Sequence, residues 1–376
     1  MKLCVIGPTY PFRGGIAHYT TLLVQSLRRA HEVSFYSYIR QYPSLLFPGS
    51  TEKDPSRQIL KVDCEYILDP FNPWTWFKTF ERIKGDEPDA LILQWWAPFW
   101  TPTLTAISYL IKRFTPIEIL FICHHVTPPD GGPFDFFLAK RVLASGDHFI
   151  VLSEEDYRRL RRVLPEADIR LAAHPTYDIF NRTSNIDKSE ARRRLGIPED
   201  EQLILFFGFV RRYKGLPYLL RAMPRVLQRI KVHLLIVGEF WESERAYRRA
   251  IERLGLKESV TVLNEYVPNE EVGIYFSAAD VVVLPYLEAT QSGVVQLAYG
   301  FEKPVITTTV GGLTETVSHG RTGLIVPPRD SEALAEAIIR FFEDDLAAGF
   351  IRGIRERQND FSWTKLVQLI EEMLSR

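Results

Sequence analysis

Short apolar runs alternate with amphipathic segments along almost the whole chain. Runs rich in Val, Ile, Leu and Phe are typical of parallel strands that are buried on both faces. The predicted strands are Leu3–Ile6, Val33–Tyr38, Ala90–Trp95, Ile117–Cys123, His148–Leu152, Ile169–Ala173, Leu203–Phe207, Val232–Val237, Val260–Leu263, Val281–Leu284, Pro304–Thr308 and Leu324–Val326. Amphipathic segments between them, such as Ile16–Arg29 and Ser331–Phe342, predict crossover helices.

The alternation of strands and helices predicts an α/β fold with two doubly wound parallel sheets. The segment Thr176–Gly196 is polar and contains no strand-like run, so we place the domain break there. The predicted domains are residues 1–180 and 181–360, followed by a closing segment 361–376. Ligands bind beyond the carboxyl ends of the strands in open sheets of this kind. We therefore expect the chemistry in residues that follow strands, contributed by both domains to a central cleft.

Composition narrows the class of protein. The chain has 376 residues, 46% of them hydrophobic, and a formal net charge of -1, which argues against a nucleic-acid binder that relies on net charge. Its three cysteines, Cys4, Cys64 and Cys123, lack metal-ligand spacing and are typical of a reducing compartment. No signal peptide and no bilayer-spanning run is recognised, so we expect a cytoplasmic protein.

Two candidate sites follow strands in the first half. The loop that ends in Gly14-Gly15 opens a helix, and a helix N-terminus favours an anion such as a phosphate. The loop is not a G-x-G-x-x-G fingerprint, so a dinucleotide is not favoured, and an ordinary turn is the alternative. His124 and His125 end another strand and should point to opposite faces, so we expect one of them to reach the cleft. A structural histidine is the alternative there.

Cations follow the first strand of the second half. Arg211 and Lys214 come shortly after Leu203–Phe207, where they can offset the charge of a diphosphate. No Asp-x-Asp pair occurs in the chain, so we expect these cations in place of a metal ion. Solvated loop charges are the alternative.

A further candidate loop leads into the next helix. Glu288 follows a strand, and Ser292, Gly293 and Val294 would present backbone N–H groups to an anion. Thr290 or Ser292 can also act as a helix cap, and the two interpretations are compatible.

Taken together, these segments resemble the retaining glycosyltransferases of family 4, which have the GT-B fold of two Rossmann-like domains. The resemblance covers nearly the whole chain and is strongest from 203 to 339. It rests on Gly14-Gly15-Ile16, His124, Gly208 to Gly215, Ala279 to Pro285, Val310 to Pro327, and Phe361-Ser362-Trp363. The family pattern has a Glu, seven residues and a second Glu. Here Glu288 is followed by Gln296, which can accept a hydrogen bond from a ribose hydroxyl but brings no charge.

The resemblance implies transfer of a sugar, of hexosyltransferase type, with retention and without a metal. The donor would be a UDP- or GDP-sugar, no other cofactor would be needed, and the acceptor would be a glycan or a lipid-linked molecule. Arg211 and Lys214 would stabilise the leaving diphosphate, Glu288 would bind donor-sugar hydroxyls, and His124 would contact the sugar near the reacting centre. The closing segment 361–376 would form a helix that returns to the first domain.

Two alternatives stay open at the level of sequence. One is a same-fold enzyme with other chemistry, such as a nucleotide-sugar epimerase or a glycogen-type synthase. The other is a non-catalytic nucleotide-binding relative, which the replacement at Gln296 favours.

A peripheral membrane contact is a further expectation. Five of the seven tryptophans lie close together in the first half: Trp74, Trp76, Trp95, Trp96 and Trp100. Exposed aromatic rings suit a sugar ring or a membrane interface, and the basic segment Tyr157–Arg162 suits anionic headgroups. Core tryptophans and a solvated helix face are the alternatives.

Overall fold

The computed structural model describes residues 1–41, 53–57, 60–127, 132–184 and 186–375. It divides into two compact units. Unit 1 comprises Met1–Asp54, Ile59–Ala173 and Ser362–Arg376, and unit 2 comprises Pro55–Gln58 and His174–Phe361. The main division lies between Ala173 and His174, a few residues before the boundary predicted at 180.

Unit 1 is a seven-stranded sheet in the order β3-β2-β1-β4-β5-β6-β7, in which every neighbouring pair is parallel. Its strands are β1 (Lys2–Ile6), β2 (Glu32–Tyr38), β3 (Glu65–Leu68), β4 (Ala90–Trp95), β5 (Glu118–Cys123), β6 (His148–Val151) and β7 (Asp168–Leu171). Its helices are α1 (Gly15–Leu27), α2 (Pro73–Asp86), α3 (Thr101–Phe114), α4 (Pro133–Leu143), α5 (Glu154–Val163) and α15 (Trp363–Leu374).

The two faces of this sheet carry different helices. Side chains alternate along a strand, so Leu91 and Leu93 of β4 belong to one core cluster and Ile92 belongs to another. The first cluster also holds buried residues of α2, α3, α4 and α5, whereas the second holds those of α1 and α15. The sheet is therefore covered by α2 to α5 on one side and by α1 and α15 on the other.

Helix α15 is tied to the beginning of the chain. Ser362 caps it by accepting from the Lys365 N–H at 3.2 Å, and the helix contacts α1 directly. Its buried stripe includes Leu366 and Ile370. His31 and Glu371 add a contact of 2.7 Å between Nε2 and Oε1. The last helix thus completes the hydrophobic core on one side of unit 1.

Unit 2 is a six-stranded parallel sheet in the order β10-β9-β8-β11-β12-β13. Its strands are β8 (Gln202–Phe207), β9 (Val232–Val237), β10 (Val260–Leu263), β11 (Val281–Leu284), β12 (Val305–Thr308) and β13 (Gly323–Val326). Its helices are α6 (Ile179–Ser184), α7 (Lys188–Leu195), α8 (Leu216–Leu227), α9 (Glu244–Arg253), α10 (Asn269–Ala278), α11 (Gly293–Gly300), α12 (Leu313–Thr316), α13 (Ser331–Glu343) and α14 (Ala347–Glu356).

All twelve predicted strands are confirmed, with shifts of one or two residues at some ends. The prediction missed β3, because this edge strand has exposed residues at Glu65 and Tyr66 instead of a continuous apolar run. Within the described residues, no helix has the length and apolarity needed to cross a bilayer.

The tryptophan cluster is mostly part of the core. Trp95, Trp96 and Trp100 are buried, because β4 and the short turn after it place them beneath the helices of unit 1. Trp76 is half-buried and donates its Nε1–H to the Asp69 carbonyl at 2.7 Å. Only Trp74 of the five is strongly exposed. The alternative of core tryptophans is therefore confirmed for Trp95, Trp96 and Trp100.

Most arginines of the basic segment on α5 form ion pairs or hydrogen bonds with nearby residues. Arg158 and Arg159 pair with acidic residues one turn earlier on the same helix. Arg161 donates to the carbonyls of Pro165 and Ala167, at 2.7 and 2.9 Å. Three of the four arginines in this segment are therefore engaged locally, whereas Arg162 is exposed.

Candidate functional site

The loops after β8, β9 and β11 are in close backbone contact at the carboxyl edge of the second sheet. Gly215 has a φ of +68°, and a Cβ there would lie 1.8 Å from the Pro285 carbonyl oxygen. Gly238 has a φ of +149°, and a Cβ there would lie 2.1 Å from the Gly208 carbonyl oxygen. A side chain at either position would force these loops apart, so glycine sets their close approach.

Lys214 is buried at the centre of these loops, with 8% of its surface exposed. A Cβ at Gly208 would lie 3.2 Å from its Nζ, and the Nζ stands 5.1 Å from the centroid of the Tyr286 ring. Burial lowers the pKa of Lys214; Tyr213 opposes this shift, and the charge of Arg211 adds to it. No carboxylate among the described residues forms an ion pair with it. The buried ammonium is thus poised for an anionic ligand, because a buried charge is costly without a partner.

Arg211 lies beside this lysine on a more exposed part of the same loop. Its guanidinium stands 5.3 Å from the Tyr213 ring and 5.1 Å from the Trp241 ring. Stacking on aromatic faces holds an arginine in place while its N–H groups remain available to a phosphate. The two cations predicted to act together therefore share one edge of the sheet.

An aromatic cluster next to Arg211 was missed by the sequence analysis. The Phe209 ring lies 4.5 Å from the Trp241 ring and 6.0 Å from the Tyr266 ring. Each of the three follows a strand within a few residues, after β8, β9 and β10 in turn. An aromatic residue at three successive strand ends is the signal that sequence alone offered. Its meaning depends on the strand order, which brings these ends together.

Helix α11 begins at the same edge. Ser292 is its N-cap by position, but its side chain makes no capping hydrogen bond; its hydroxyl instead lies 3.5 Å from the Tyr286 hydroxyl. Gly293 and Val294 lie in the first turn, where backbone N–H groups have no partner within the helix. Thr290 is buried, and its carbonyl accepts from the Gly312 N–H at 3.0 Å.

Gln296 lies one turn into α11 and is 2% exposed. Its Oε1 has no hydrogen-bond partner among the residues that the structure describes. A buried acceptor left unpaired is costly, and such groups in native proteins commonly meet a ligand or water. This is the position at which the family pattern has its second carboxylate.

Glu288 is exposed on the loop that links β11 to α11. The loop before it is fixed by two bonds: Leu287 donates its N–H to Tyr213 O at 2.7 Å, and Thr308 donates its hydroxyl to Tyr286 O at 2.5 Å. The carboxylate therefore stands on a defined backbone and is open to a ligand.

The predicted residues of unit 1 lie at the carboxyl edge of the first sheet. Gly14 caps α1 with a φ of +113°, and a Cβ at Gly14 or Gly15 would meet nothing within 4 Å. His124 directly follows β5, is 2% exposed, and bonds through Nε2 to Gln94 Oε1 at 2.8 Å. The edge of the Tyr19 ring packs against it, with 4.6 Å between ring centroids.

Asp156 holds the segment after His124. It accepts the Val126 N–H at 2.9 Å and the Ser153 hydroxyl at 3.0 Å, and it is fully buried. Burial raises the pKa of Asp156 to about 6. Burial also lowers the pKa of His125 to about 4, and the charge of Arg159 adds to this effect. His125 is accordingly neutral at neutral pH.

The structure thus gathers the predicted residues in two groups, one in each unit. Unit 2 holds Arg211, Lys214, Glu288, Thr290, Ser292, Gly293, Val294 and Gln296, and unit 1 holds Gly14, Gly15 and His124. In the described part of the chain, no cluster of three or more His, Cys, Asp or Glu side chains is arranged to hold a metal ion.

The two units correspond to two known domain families. Residues 13–175 match the family model Glycosyltransferase Family 4, and residues 201–344 match Glycosyl transferases group 1. The fold is that of solved GT-B enzymes: the structure of Anabaena HepE in complex with UDP superposes with a TM-score of 0.77 over 100% of both chains, at 18% identity.

Proteins that are similar in sequence include the following two. An uncharacterized glycosyltransferase of Methanocaldococcus jannaschii is 33% identical over 42% of this chain and 40% of its own length. The D-inositol 3-phosphate glycosyltransferase of Corynebacterium urealyticum is 30% identical over 55% of this chain and 51% of its own length. The matches thus span about half the length of these relatives.

The matched families and the shared fold identify the chain as a glycosyltransferase of the GT-B class. Within that class, the chain carries a family 4 domain followed by a group 1 domain, as the resemblance in sequence implied.

Proposed function

We propose that this enzyme transfers a sugar from a nucleoside-diphosphate sugar to an acceptor hydroxyl, with retention and without a metal ion. The observation that carries the proposal is the buried ammonium of Lys214, which meets no carboxylate among the described residues. Its Nζ, the guanidinium of Arg211 and the N–H groups at the start of α11 converge on one edge of the sheet. A diphosphate is a ligand whose charge fits such a set.

The remaining parts of a nucleotide-sugar have matching groups nearby. Gln296 Oε1 would accept from a ribose hydroxyl. The Phe209, Trp241 and Tyr266 cluster offers an aromatic face for the base. Glu288 would bind hydroxyls of the donor sugar. Because HepE structures contain UDP and UDP-glucose, uridine donors are the first to test, followed by GDP-sugars.

Retention would follow from a front-face reaction. The bond between the anomeric carbon and the diphosphate oxygen breaks, and the acceptor oxygen attacks from the same side. The acceptor proton passes to the departing diphosphate, so no protein nucleophile is required. Lys214 and Arg211 would stabilise the charge that develops on the leaving group, and His124, held by Gln94, would contact the sugar near the reacting centre.

The acceptor we propose is a glycan or a lipid-linked molecule. The similarity to D-inositol 3-phosphate glycosyltransferases covers about half of those proteins, so phosphorylated inositol belongs among the acceptors to be screened.

The test is a donor screen by isothermal calorimetry, followed by product analysis by proton NMR. We expect micromolar-range binding of UDP or GDP that persists in EDTA, and a product anomer that matches the donor. Loss of activity in EDTA with rescue by magnesium would refute the transfer without a metal ion. A product with the inverted anomer would refute retention. Conversion of the donor to its epimer without transfer would favour the epimerase alternative. Nucleotide binding without turnover would favour a non-catalytic relative.

A further inference from the structure

Exposed aromatic side chains gather on one layer of helices in unit 1. Thirteen large apolar side chains are exposed in the described part of the chain, and seven of them lie on α2, α3 and α4. All seven are aromatic, whereas unit 2 contributes only Tyr213 to the thirteen. Trp74 and Phe134 are the most exposed, at 73% and 70%. Single exposed apolar residues are ordinary, but seven rings on three helices are not.

These rings lie on three neighbouring helices. Helix α3 contacts both α2 and α4, and all three pack on the same face of the sheet. On α2, the Trp74 and Phe77 rings lie 5.9 Å apart, and Phe77 lies 6.1 Å from the buried ring of Phe80. Phe80 lies 6.1 Å from Phe114 at the end of α3. We call the outward side chains of α2, α3 and α4 the aromatic surface.

The aromatic surface is also cationic. The three helices contain seven Lys and Arg against three Asp and Glu, whereas the whole chain has a net charge of -1. Its exposed cations include Lys78, Lys84, Arg113, Lys140 and Arg141. None of these five forms an ion pair with a carboxylate in the described ranges of the chain. Lys84 and Arg113 instead stand over the rings of Phe80 and Phe114, at 5.9 and 5.5 Å.

This combination distinguishes a lipid partner from a protein partner. Protein interfaces are enriched in aromatic residues but depleted in Lys, and the cations here include three lysines. Aromatic rings beside unpaired Lys and Arg suit the interface of a bilayer, where the rings lie at headgroup level and the cations meet phosphates. On α5, by contrast, Arg158 and Arg159 are ion-paired and Arg161 donates to backbone carbonyls.

We propose that the aromatic surface docks on a bilayer that contains anionic lipids. Rings and cations supply the two signals that peripheral binding needs, apolar insertion and electrostatic attraction. The inference stands on unit 1 alone and does not require the transfer reaction proposed above. It identifies the side of the enzyme that would face a lipid-linked acceptor.

Vesicle co-sedimentation tests the proposal directly. The full chain is mixed with vesicles of phosphatidylcholine alone or of phosphatidylcholine with phosphatidylglycerol, at low and high salt. We expect the wild type to pellet with the anionic vesicles and to be released by salt. Lys78→Gln/Lys140→Gln should weaken binding about 25-fold, since each cation at the surface contributes roughly fivefold. Trp74→Ala/Phe134→Ala should weaken it about tenfold or more.

A matched control is available on α9. Arg245 and Arg249 are also exposed cations on a helix, but they lie in unit 2. Arg245→Gln/Arg249→Gln should bind vesicles like the wild type. Far-UV circular dichroism and donor hydrolysis without vesicles should be unchanged in all three double variants, which separates this surface from the donor site.

Three outcomes would overturn the proposal. The first is wild-type protein that stays in the supernatant with anionic vesicles at low salt. The second is vesicle binding that neither unit 1 double variant weakens. The third is self-association without lipid that Trp74→Ala/Phe134→Ala abolishes, which would make a second copy of the chain the partner.

Discussion

The ammonium nitrogen of Lys214 stands 5.1 Å from the centroid of the Tyr286 ring. Burial raises the pKa of Tyr286 above its usual range, so the ring stays neutral and offers only its π face. A cation–π contact contributes about 0.5–2 kcal/mol, much less than the cost of burying a charge. This contact therefore offsets only part of the cost of burying the charge of Lys214. An anionic ligand would offset more of it.

Replacing Lys214 should lower the affinity for UDP without lowering the stability of the fold. Lys214→Met removes the charge and keeps the apolar stem, so the free energy of unfolding should be unchanged or higher without ligand. Affinity for UDP should fall about 10- to 150-fold, which corresponds to hydrogen bonds of roughly 1.5–3 kcal/mol to a charged group. Calorimetry and urea unfolding measure the two quantities. Lys231→Met, at an exposed position, serves as the control, and full UDP affinity in Lys214→Met would contradict the assignment.

The buried amide of Gln296 provides a second prediction. Gln296→Leu removes an acceptor that lacks a partner among the described residues, so stability should be unchanged or improved. If this acceptor binds the ribose, affinity for UDP should fall about tenfold, the value of one hydrogen bond of roughly 1.4 kcal/mol. The affinity for inorganic diphosphate should stay the same. Equal losses for UDP and diphosphate would argue against a ribose contact.

The energetic effect of the close loop contact at Gly215 can be measured by comparison with a second glycine that has a similar φ but no such contact. Gly215 and Gly255 have almost the same φ, +68° and +69°, but only Gly215 has a carbonyl oxygen against it. Gly255→Ala should cost about 1 kcal/mol for its left-handed backbone. Gly215→Ala should cost at least about 2 kcal/mol more, because the Pro285 loop must move. Urea midpoints give the difference, and equal losses would show that the contact is not constraining.

The pH dependence of stability should report Asp156. Its pKa is raised to about 6 in the fold, above the value of an unfolded chain, because burial disfavours the charged form. This group therefore stabilises the fold below its unfolded pKa, and that contribution is lost as the pH rises through about 6. Relative to Asp156→Asn, the wild type should gain up to about 3 kcal/mol as the pH falls from neutral to about 4. Parallel stability curves for the two proteins would contradict this.

Much of the fold was predictable because buried parallel strands have a plain signature. Runs such as Val232–Val237 and Val281–Leu284 are apolar throughout, and each is a strand with the predicted bounds. Strand β3 has no such run, because it lies at the edge of the sheet and its residues Glu65 and Tyr66 are exposed. Residues that follow strands could likewise be chosen as candidates, because sheet geometry places them at the ligand-binding edge.

The features of the site and surface that could not be predicted from the sequence depend on which residues are neighbours in three dimensions. Phe209, Trp241 and Tyr266 are far apart in the chain and meet only because β8, β9 and β10 are adjacent. In the sequence, nothing distinguishes Trp95 and Trp96 from Trp74. In the structure, Trp95 and Trp96 are buried, whereas Trp74 is exposed. Composition shows that aromatic residues are present, but only the packing decides which of them face outward.

Helix α15 gives unit 1 an unusual order of assembly. A ribosome synthesises the strands of unit 1 first, then His174–Phe361 of unit 2, and α15 after them. Until then, the core formed by Leu23 of α1 and its neighbours lacks the residues Leu366 and Ile370 that cover it. Because domains fold as units during synthesis, unit 2 can be complete before unit 1. Unit 1 therefore cannot complete its core until α15 has been synthesised.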